Sequence, residues 1–360
     1  MSQRIRIKDI AEKAGVSTGT VDRVLHERGN VSPEAKGKVL KVMEELGYER
    51  NIIASTLAYN RVFRIAALLP DIQSDPYWEQ PYAGIERALK TVHHYGVSLE
   101  PHFFGLFDPQ SFLQTAAEVL ENPPDAILFA PVFLKEGHSL LKACREKDIH
   151  NVMINTYVDN SDSLCYIGQD SYQSGFLAAR LLHFGLNEGE TAILLNLEIG
   201  SHNAQHLIDK EQGFRDYFAQ FPEQHINIVK QDFEDFDDKI KLTNLLAGML
   251  KQHPKLNGIF VTNSRAYKAV ECLPSGLVQR IKIVGFDLLE QNIHHLHRNN
   301  IDFLINQNPV HQGYMGIINL VNHLVFKKSV EKLQYLPLDI VVTENVDYYL
   351  KRQEEFEIVL

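Results

Sequence analysis

Apolar positions near the start of the chain recur at helical spacing in three short stretches, which two breaks separate. Such spacing places the apolar side chains on one helix face, so the pattern predicts three short helices. Gly15 ends the first because glycine enters the left-handed conformation at little steric cost, and Ser17 can cap the second. Ser32 and Pro33 open the third. The predicted core positions are Ile7, Ile10, Ala11, Ala14, Val21, Val24, Leu25, Val39, Leu40, Met43 and Leu46.

The second predicted helix keeps a polar outer face. A helix, a short glycine-containing turn and a second helix of this kind form a helix-turn-helix, whose second helix can lie in the major groove of DNA. Arg23 is the best candidate for a base contact because its guanidinium fork fits the two acceptors of guanine. The pattern leaves open an alternative, which is a small three-helix bundle with a solvated charged face.

The same residues resemble a known family. The strings I-x-D-I-A-x-x-A-G-V-S-x-x-T-V-x-R-V-L and L-G-Y-x-x-N-x-x-A, within about the first sixty residues, are similar to the LacI/GalR repressors. The resemblance implies a helix-turn-helix DNA-binding domain over residues 1–50. It also implies a hinge helix over residues 51–60, whose leucine enters the minor groove between two half-sites. The implied DNA-binding residues, with those of the polar face, are Thr18, Gly19, Thr20, Arg23, His26, Asn51, Ala54 and Leu57.

The physics of a short hinge agrees with this implication. An isolated helix of this length is marginal in water, so we expect it to order only against DNA and a second copy of the chain. One small head also offers few base contacts. The expected partners are therefore a pseudo-palindromic double-stranded DNA operator and a second copy, in a homodimer.

Beyond residue 60 the pattern changes to strand-length apolar runs that alternate with amphipathic helical stretches. Strands buried on both faces between crossover helices build a parallel α/β sheet. The ten runs exceed one comfortable open sheet, so we predict two Rossmann-like subdomains with a cleft at the strand carboxyl ends. The predicted sensor covers residues 61–350. Subdomain one takes about 61–162 and 308–332, and subdomain two takes about 163–306 and 333–360.

This body resembles the type I periplasmic sugar-binding fold, which the repressor family carries as its sensor. The strings D-P-Y-W, I-G-Q-D-S-Y-Q-S-G, F-V-T-N, V-G-F-D and I-N-Q-N-P-x-x-Q-G-Y carry the resemblance. It implies a small-molecule effector, a sugar or sugar derivative. The implied ligand-binding residues are Tyr77, Trp78, Asn155, Asp170, Lys210, Asn263, Asp287 and Gln307.

The chemistry of these residues suits a carbohydrate. Aromatic rings can stack on a sugar face, while amides and carboxylates hydrogen-bond to hydroxyls in a desolvated cleft. Each residue also has an ordinary alternative: Tyr77 and Trp78 could be core, and Asp287 could cap a helix. Asn155, Lys210 and Ser264 depart from common family residues, so we expect an effector other than the commonest sugar of the family.

Charge and composition agree with a cytoplasmic regulator. The net charge of -10 divides into +2 over residues 1–60 and -12 over the remainder, so the predicted head is the cationic end. The first twenty residues are charged and no long apolar run follows, which predicts neither a signal peptide nor a membrane span. Three scattered cysteines predict a reducing compartment and no disulfide framework.

The sequence lacks the dinucleotide-binding, P-loop and nucleophile-elbow motifs, so we expect no cofactor and no enzyme activity. Histidines cluster at His93-His94 and at His294-His295-His297, but no carboxylate or cysteine completes a metal set beside them. Three hypotheses follow: a ligand-controlled transcription factor, a ligand-binding protein with a degenerate DNA-binding head, and an enzyme on the same fold. The residues and the resemblance favour the first hypothesis. We expect the transcription factor to be a repressor.

Overall fold

The computed structural model of the 360-residue chain describes residues 5–25, 29, 31–46, 62–159, 161–198 and 204–354. The chain divides into two compact units, Met1–Arg61 and Val62–Leu360. The division falls where the sequence pattern changes from short helices to alternating strands and helices. Each unit is therefore described by itself.

The described part of the first unit contains three helices, α1 (Ile7–Ala14), α2 (Thr18–Leu25) and α3 (Pro33–Leu46). Gly15 ends α1 in the left-handed conformation, at φ 65°. The Thr20 N–H donates to Ser17 Oγ at 3.1 Å, and the Ala35 N–H donates to Ser32 Oγ at 3.2 Å. These two serines cap α2 and α3, as predicted.

The three helices share one small apolar core. Its buried members are Ile10, Ala11, Ala14, Val21, Val24, Leu25, Val39 and Val42. Lys13 of α1 pairs with Glu45 of α3 at 3.1 Å beside this core. One predicted core position is wrong, because Leu40 is 48% exposed whereas Val42 is buried. Val39 and Val42 lie three residues apart on the helix, and the residue after Val39 is turned toward solvent.

Two six-stranded sheets form the framework of the second unit. The first contains β1 (Phe63–Pro70), β2 (Val97–Phe104), β3 (Ala126–Phe129), β4 (His150–Ile154), β5 (Cys165–Gly168) and β11 (Leu333–Tyr335). The second contains β6 (Thr191–Asn196), β7 (Asn227–Asp232), β8 (Leu256–Val261), β9 (Lys282–Phe286), β10 (Phe303–Asn306) and β12 (Asp339–Val341). Their orders are β11-β5-β4-β3-β1-β2 and β12-β10-β9-β8-β6-β7.

Parallel pairing dominates both sheets. The β10–β12 pair is antiparallel, and every other pair among the described strands is parallel. Helices cover the sheet faces, and they are α4 (Glu79–Val92), α5 (Pro109–Glu121), α6 (Leu134–Glu146), α7 (Ser171–His183), α8 (Gln205–Phe218), α9 (Lys239–Gln252), α10 (Ala266–Cys272), α11 (Ser275–Val278), α12 (Glu290–His297), α13 (Pro309–Leu324) and α14 (Val346–Glu354). The predicted fold class, a helical head and a two-sheet α/β body, is confirmed.

The subdomain boundaries differ from the predicted ones at two of the three crossings. β5 pairs with β4, so the chain leaves the first sheet after Gly168 and not near residue 162. β11 pairs with β5, so the chain stays in the first sheet through Tyr335 and does not leave it at residue 332. Apolar runs of this length predict strands, but only pairing shows to which sheet a strand belongs. The remaining crossing lies between β10 and α13, close to the predicted position.

The edge strands β11 and β12 and the helices α11, α13 and α14 are additions to the predicted elements. Each edge strand has three residues, too few to produce an alternating pattern. In α13 buried positions occur on most sides, because this helix packs among the strands of the first sheet and α4.

Each subdomain contains one pair of helices that touch through glycines. A side-chain carbon at Gly84 of α4 or at Gly313 of α13 would stand 1.9 Å from a backbone oxygen of the opposite helix. In the second subdomain a side-chain carbon at Gly175 of α7 or Gly213 of α8 would stand 2.0 Å from such an oxygen. Glycine therefore sets the closest approach of both helix pairs.

We expect Gly84→Ala to destabilise the protein, because the added methyl group has to separate α4 from α13. Overpacking of this kind costs about 1–3 kcal/mol in the free energy of unfolding. Chemical denaturation of the full chain measures it. The matched control is Gly248→Ala in α9, where a side-chain carbon meets no atom within 4 Å. That variant should be neutral or stabilised by up to about 1 kcal/mol, and equal losses in both variants would contradict the packing argument.

Candidate effector cleft and DNA-reading helix

The predicted base-reading residues lie on the outer face of α2. Thr18, Gly19 and Arg23 are exposed and Thr20 is half-buried. The apolar residues of this helix face the core. The Thr20 and Ser17 hydroxyls lie 2.9 Å apart, which fixes the first turn of the helix. The surface offered by α2 is thus small, polar and able to enter a groove. The remaining predicted DNA-binding residues lie outside the described part of the chain, namely His26, Asn51, Ala54 and Leu57 of the head and predicted hinge 51–60.

A cavity of about 370 Å³ lies between the two subdomains. Many of its polar lining residues follow strands of both sheets, so it lies at the strand carboxyl ends where a binding cleft is expected. His206 and Lys210 reach it from α8. Seven of the eight predicted ligand-binding residues line it, and they are Tyr77, Trp78, Asn155, Lys210, Asn263, Asp287 and Gln307.

Asp170 is the predicted residue that the structure does not bring to the cavity. Its carboxylate accepts the Gln173 N–H at 3.0 Å and caps α7. Gln169, one residue earlier, lines the cavity and is buried. Within the string I-G-Q-D-S, the side chain that lines the cavity is thus Gln169 and not Asp170.

Sequence reasoning missed several charged or polar lining residues. Asp75 opens the D-P-Y-W string and Arg265 closely follows F-V-T-N, so those two motifs contained enough information to find them. No pattern indicated Glu198 or His206, since neither lies in a string that carried the resemblance.

Arg265 forms the most heavily bonded ionic contact of the cavity. Its Nη2 donates to Asp75 Oδ2, and its Nη1 donates at 3.0 Å to both Glu198 Oε2 and the Leu197 carbonyl. Burial acts to lower the pKa of Arg265, but the Glu198 and Asp75 carboxylates outweigh it and the pKa rises. The guanidinium therefore stays charged and already has its anionic partners within the protein.

A chain of amides leads to Asp287. Gln169 Nε2 donates to Gln307 Oε1 at 2.7 Å, and Gln307 Nε2 donates to Asp287 Oδ2 at 2.7 Å. Asp287 has a left-handed backbone, with φ 64°, and is fully buried. Burial raises the pKa of this carboxyl group from 3.8 to about 7, although Gln307 and Lys210 act in the opposite direction.

Lys210 is a second buried cation in the cavity wall. Its Nζ donates to the Thr262 carbonyl at 2.7 Å and lies 3.9 Å from the centre of the Phe286 ring. Burial lowers the pKa of Lys210 to about 8, with Asp287 and Glu198 opposing that shift. Like Arg265, this cation already has a partner inside the protein.

Three buried atoms of the lining have no hydrogen-bond partner among the described residues. They are Asp287 Oδ1, Gln169 Oε1 and His206 Nδ1. Burial and the nearby Lys210 lower the pKa of His206 to about 3, so its ring is neutral. Buried polar atoms are nearly always paired in native proteins, so these three atoms require partners from a bound molecule or from water. The Gln169 oxygen can only accept, and the Asp287 oxygen accepts when its carboxyl group is ionised, so both suit hydroxyl groups.

Aromatic side chains form the apolar part of the wall. Tyr77 and Trp78 pack edge to face with ring centres 5.0 Å apart, and both line the cavity. Asn155 Nδ2 donates to the Tyr77 hydroxyl at 2.8 Å, which holds the phenol ring in place. Phe107 and Phe133 complete this side. The cavity thus combines flat apolar surface with convergent acceptors.

The part of the chain that the structure describes offers neither a metal centre nor a membrane-spanning helix. It contains no group of three or more histidine, cysteine, aspartate or glutamate side chains arranged to hold a metal ion. None of the described helices has both the length and the apolar character that a membrane crossing requires.

Comparisons with known proteins give the same division of the chain. Residues 6–51 match the family described as bacterial regulatory proteins, lacI family, and residues 65–328 match the periplasmic binding protein domain. The ribose operon repressor of Halalkalibacterium halodurans is 27% identical over 78% of this chain and 80% of its own length. The sucrose operon repressor of Pediococcus pentosaceus is 25% identical over 78% of this chain and 82% of its own length.

Solved structures agree with the fold. A Bacteroides fragilis protein assigned to the LacI transcriptional regulators has a TM-score of 0.74 and 30% identity, covering 80% of this chain and all of that one. A solute-binding protein of an Agrobacterium vitis ABC transporter, bound with alpha-D-tagatopyranose, has a TM-score of 0.70 and 24% identity. The match covers 81% of this chain and 98% of that one. At that identity the second likeness concerns the fold alone.

A helix-turn-helix head followed by a two-sheet binding body defines the class of DNA-binding regulators that carry their own sensor. Both parts match family descriptions, and the relatives named above are operon repressors. The chain belongs to the LacI family of bacterial transcriptional regulators.

We expect the buried Asp287 carboxyl group to make stability depend on pH. Its pKa is higher in the folded than in the unfolded chain, so its contribution is present below pH 3.8 and is lost as the pH rises through about 7. For this one group, the unfolding free energy changes by at most about 1.4 kcal/mol per pH unit. The pKa of Lys210 is lowered to about 8, so burying its charge costs stability below that pH. This cost disappears as the pH rises above about 8.

Asp287→Asn should flatten the fall in unfolding free energy between about pH 4 and pH 7, as measured by chemical denaturation at several pH values. An unchanged slope in Asp287→Asn would remove the role given to this carboxyl group.

Proposed function

We propose that this regulator represses transcription at a specific operator and that an uncharged carbohydrate in the cleft controls its operator affinity. The observation that carries the proposal is the set of three unpartnered buried polar atoms, Asp287 Oδ1, Gln169 Oε1 and His206 Nδ1, around the cavity between the subdomains. The Trp78 and Tyr77 rings line the same cavity, whose volume of about 370 Å³ can hold a sugar. A hydroxyl-bearing ring satisfies both kinds of surface.

The distribution of charge supports an uncharged ligand. Arg265 is held by Asp75 and Glu198, and Lys210 donates to the Thr262 carbonyl. Arg265 thus has two carboxylate partners, and the nearby Asp287 and Glu198 offset the charge of Lys210. The atoms that do lack partners include an oxygen of Asp287 and the amide oxygen of Gln169, and hydroxyl groups can donate to both.

The names of related proteins support the same class of ligand. Two of the relatives are a ribose operon repressor and a sucrose operon repressor. Solved structures with the same fold were bound with alpha-D-tagatopyranose and with D-allose. These sugars are therefore the first probes for this protein.

The DNA-binding half of the proposal concerns α2. Arg23 lies on the outer face beside Thr18 and Gly19, and we assign to these three positions the contacts with base edges in the major groove. A homodimer would present two such helices to a pseudo-palindromic operator. The hinge at residues 51–60, with Asn51, Ala54 and Leu57 in the minor groove, stays a prediction.

Control by the ligand requires the cleft to distinguish two arrangements of the subdomains. The chain crosses between the sheets next to Gln169 and again next to Gln307, and both residues line the cavity. A ligand held by these side chains binds differently when the subdomains rotate. By linkage, operator affinity then changes by the same factor as ligand affinity.

The proposal is tested in two steps with the full chain. First, thermal unfolding is measured with D-ribose, D-tagatose, D-allose and sucrose, each beside its phosphorylated form where one exists. Second, duplexes are selected from a random library and their affinity is compared with and without the stabilising sugar. We expect stabilisation by an unphosphorylated sugar, a pseudo-palindromic sequence, and a change in affinity of about 5- to 150-fold.

Other outcomes would support the competing functions. If a sugar binds but no duplex sequence is preferred, the chain is a ligand-binding protein with a degenerate head. If the bound sugar is converted to a product, the chain is an enzyme on the same fold. Tighter binding of a phosphorylated sugar would contradict the charge argument for the cleft.

We expect Asp287→Ala to lose the response to the sugar while DNA binding without sugar is kept. Loss of the partner of a buried polar group weakens binding by about 1–3 kcal/mol. Titration of the sugar against operator-bound protein measures the response. Asp170→Ala is the matched control and should respond normally, although loss of its helix cap costs about 1 kcal/mol of stability. An intact response in Asp287→Ala would make Asp287 purely structural.

We expect Arg23→Ala to relax the preference for one base pair in each half-site, because a bidentate contact with guanine is worth about 1–3 kcal/mol of discrimination. Competition between the selected duplex and single-base variants measures the preference. Lys36→Ala, at an exposed position of α3, is the control and should leave the base preference unchanged. Unchanged discrimination in Arg23→Ala would exclude this arginine as a base reader.

A further inference from the structure

We propose that Arg265, held between Asp75 and Glu198, latches the cleft closed without any contribution from an effector. We call these three residues the cross-cleft latch. The inference deepens the proposed function, because it concerns regulation of the same cleft. Its own content is a statement about subdomain closure, which can be tested without DNA and without a sugar.

The first subdomain contributes a carboxylate that is fixed in position. Asp75 follows β1 and precedes the short helical turn Pro76–Trp78. Its Oδ1 accepts the Tyr77 N–H at 2.9 Å, so this oxygen caps the turn while Oδ2 faces Arg265. Asp75 is 6% exposed. The carboxylate therefore points across the cleft from a rigid base.

The second subdomain contributes a guanidinium that is fixed equally well. Arg265 follows β8, and its backbone N–H donates to Asn263 Oδ1 at 3.2 Å. Its Nη1 donates to Glu198 Oε2 and to the Leu197 carbonyl, both beyond β6. The Phe236 ring lies 4.7 Å from the guanidinium carbon. These contacts all belong to the second subdomain, so among the hydrogen bonds of Arg265 the one to Asp75 spans the cleft.

An aromatic contact accompanies this ionic bond. Phe107 follows β2 in the first subdomain, and its ring centre lies 5.8 Å from that of Phe236 in the second. The Phe107 ring also lies 5.6 Å from the guanidinium carbon of Arg265. The cation is therefore covered by apolar rings from both sides of the cleft, which limits its access to water.

The latch is complete within the protein. Two carboxylates and one carbonyl oxygen satisfy Arg265, so no group from an effector is needed to bridge the subdomains. Opening the cleft would separate Asp75 from the guanidinium and would uncover the aromatic rings around it. A buried charge pair with supporting hydrogen bonds is strongly affected when one member is removed. The latch therefore favours the closed arrangement of the subdomains before an effector binds.

The single tryptophan provides the measurement. Trp78 lines the cavity, lies three residues from Asp75, and is 3% exposed in the closed arrangement. Quenching of its fluorescence by acrylamide reports whether the cleft is open. In the full-length wild-type chain without sugar, we expect weak quenching. In Arg265→Met the quenching constant should rise about threefold, because the open population increases.

Two further variants make the test specific. Arg145→Met is the matched control: Arg145 forms an exposed ion pair with Asp162 at 2.8 Å within the first subdomain, and its loss should leave quenching unchanged. Because Arg265→Met leaves two buried carboxylates uncompensated, the second variant combines it with Asp75→Asn and Glu198→Gln. This triple variant carries no buried charge at the latch and should also be quenched more strongly than wild type.

The outcomes show whether these three residues close the cleft. Strong quenching of the wild-type chain without sugar would overturn the proposal, because the cleft would then be open. A triple variant as well shielded as wild type would also overturn it, because contacts elsewhere would be closing the cleft. Hydrogen exchange over residues 75–78 and 263–266 provides a second reading on the same samples, with faster exchange expected in the latch variants. Neither result depends on operator binding, so failure of the latch and failure of the proposed function are distinguishable.

Discussion

The need to pair buried charge where two parallel sheets face each other is the constraint on which this structure depends. Parallel strands bring their carboxyl ends to one edge, and two such edges enclose the cavity. Asp75, Glu198, Lys210, Arg265 and Asp287 all lie there, and an unpaired charge in such a place is costly. The arginine is held by two carboxylates, and the lysine by a carbonyl. Asp287 obtains one hydrogen bond, keeps one unpartnered oxygen and has a raised pKa.

Helix packing around the sheets fixes these groups in place. In the second subdomain a side-chain carbon at Gly175 of α7 would meet the backbone oxygen of Lys210 in α8 at 2.0 Å. The same residue thus provides the backbone that the glycine accommodates and the ammonium group that enters the cavity. A wider separation of α7 and α8 would move Lys210 away from Thr262 and Phe286. Close glycine contact is therefore part of how the polar wall is held together.

The sequence predicted local features well and long-range features poorly. Caps such as Ser17 and Ser32, and strands such as β1, depend on neighbouring residues and could be found from spacing alone. The sheet to which β5 belongs depends on pairing with distant residues, and its placement was wrong. Seven predicted residues line the cavity, where the strand ends of this fold converge. The Asp170 side chain caps a helix and does not line the cavity. No local pattern indicated Glu198, which lines the cavity and bonds to Arg265, 67 positions away in the chain.

The balance between satisfied and unsatisfied groups gives the cleft its selectivity. Arg265 is already paired with Asp75 and Glu198, so an anionic ligand would gain no free guanidinium partner and would have to approach these carboxylates. The unpartnered oxygens of the cleft, by contrast, lose water on burial and recover a hydrogen bond only from a donor. A ligand without hydroxyl groups would leave those oxygens unpaired at the same sites. Selection for a hydroxyl-rich, uncharged molecule therefore follows from the groups that the fold has already paired, as much as from those that it leaves open.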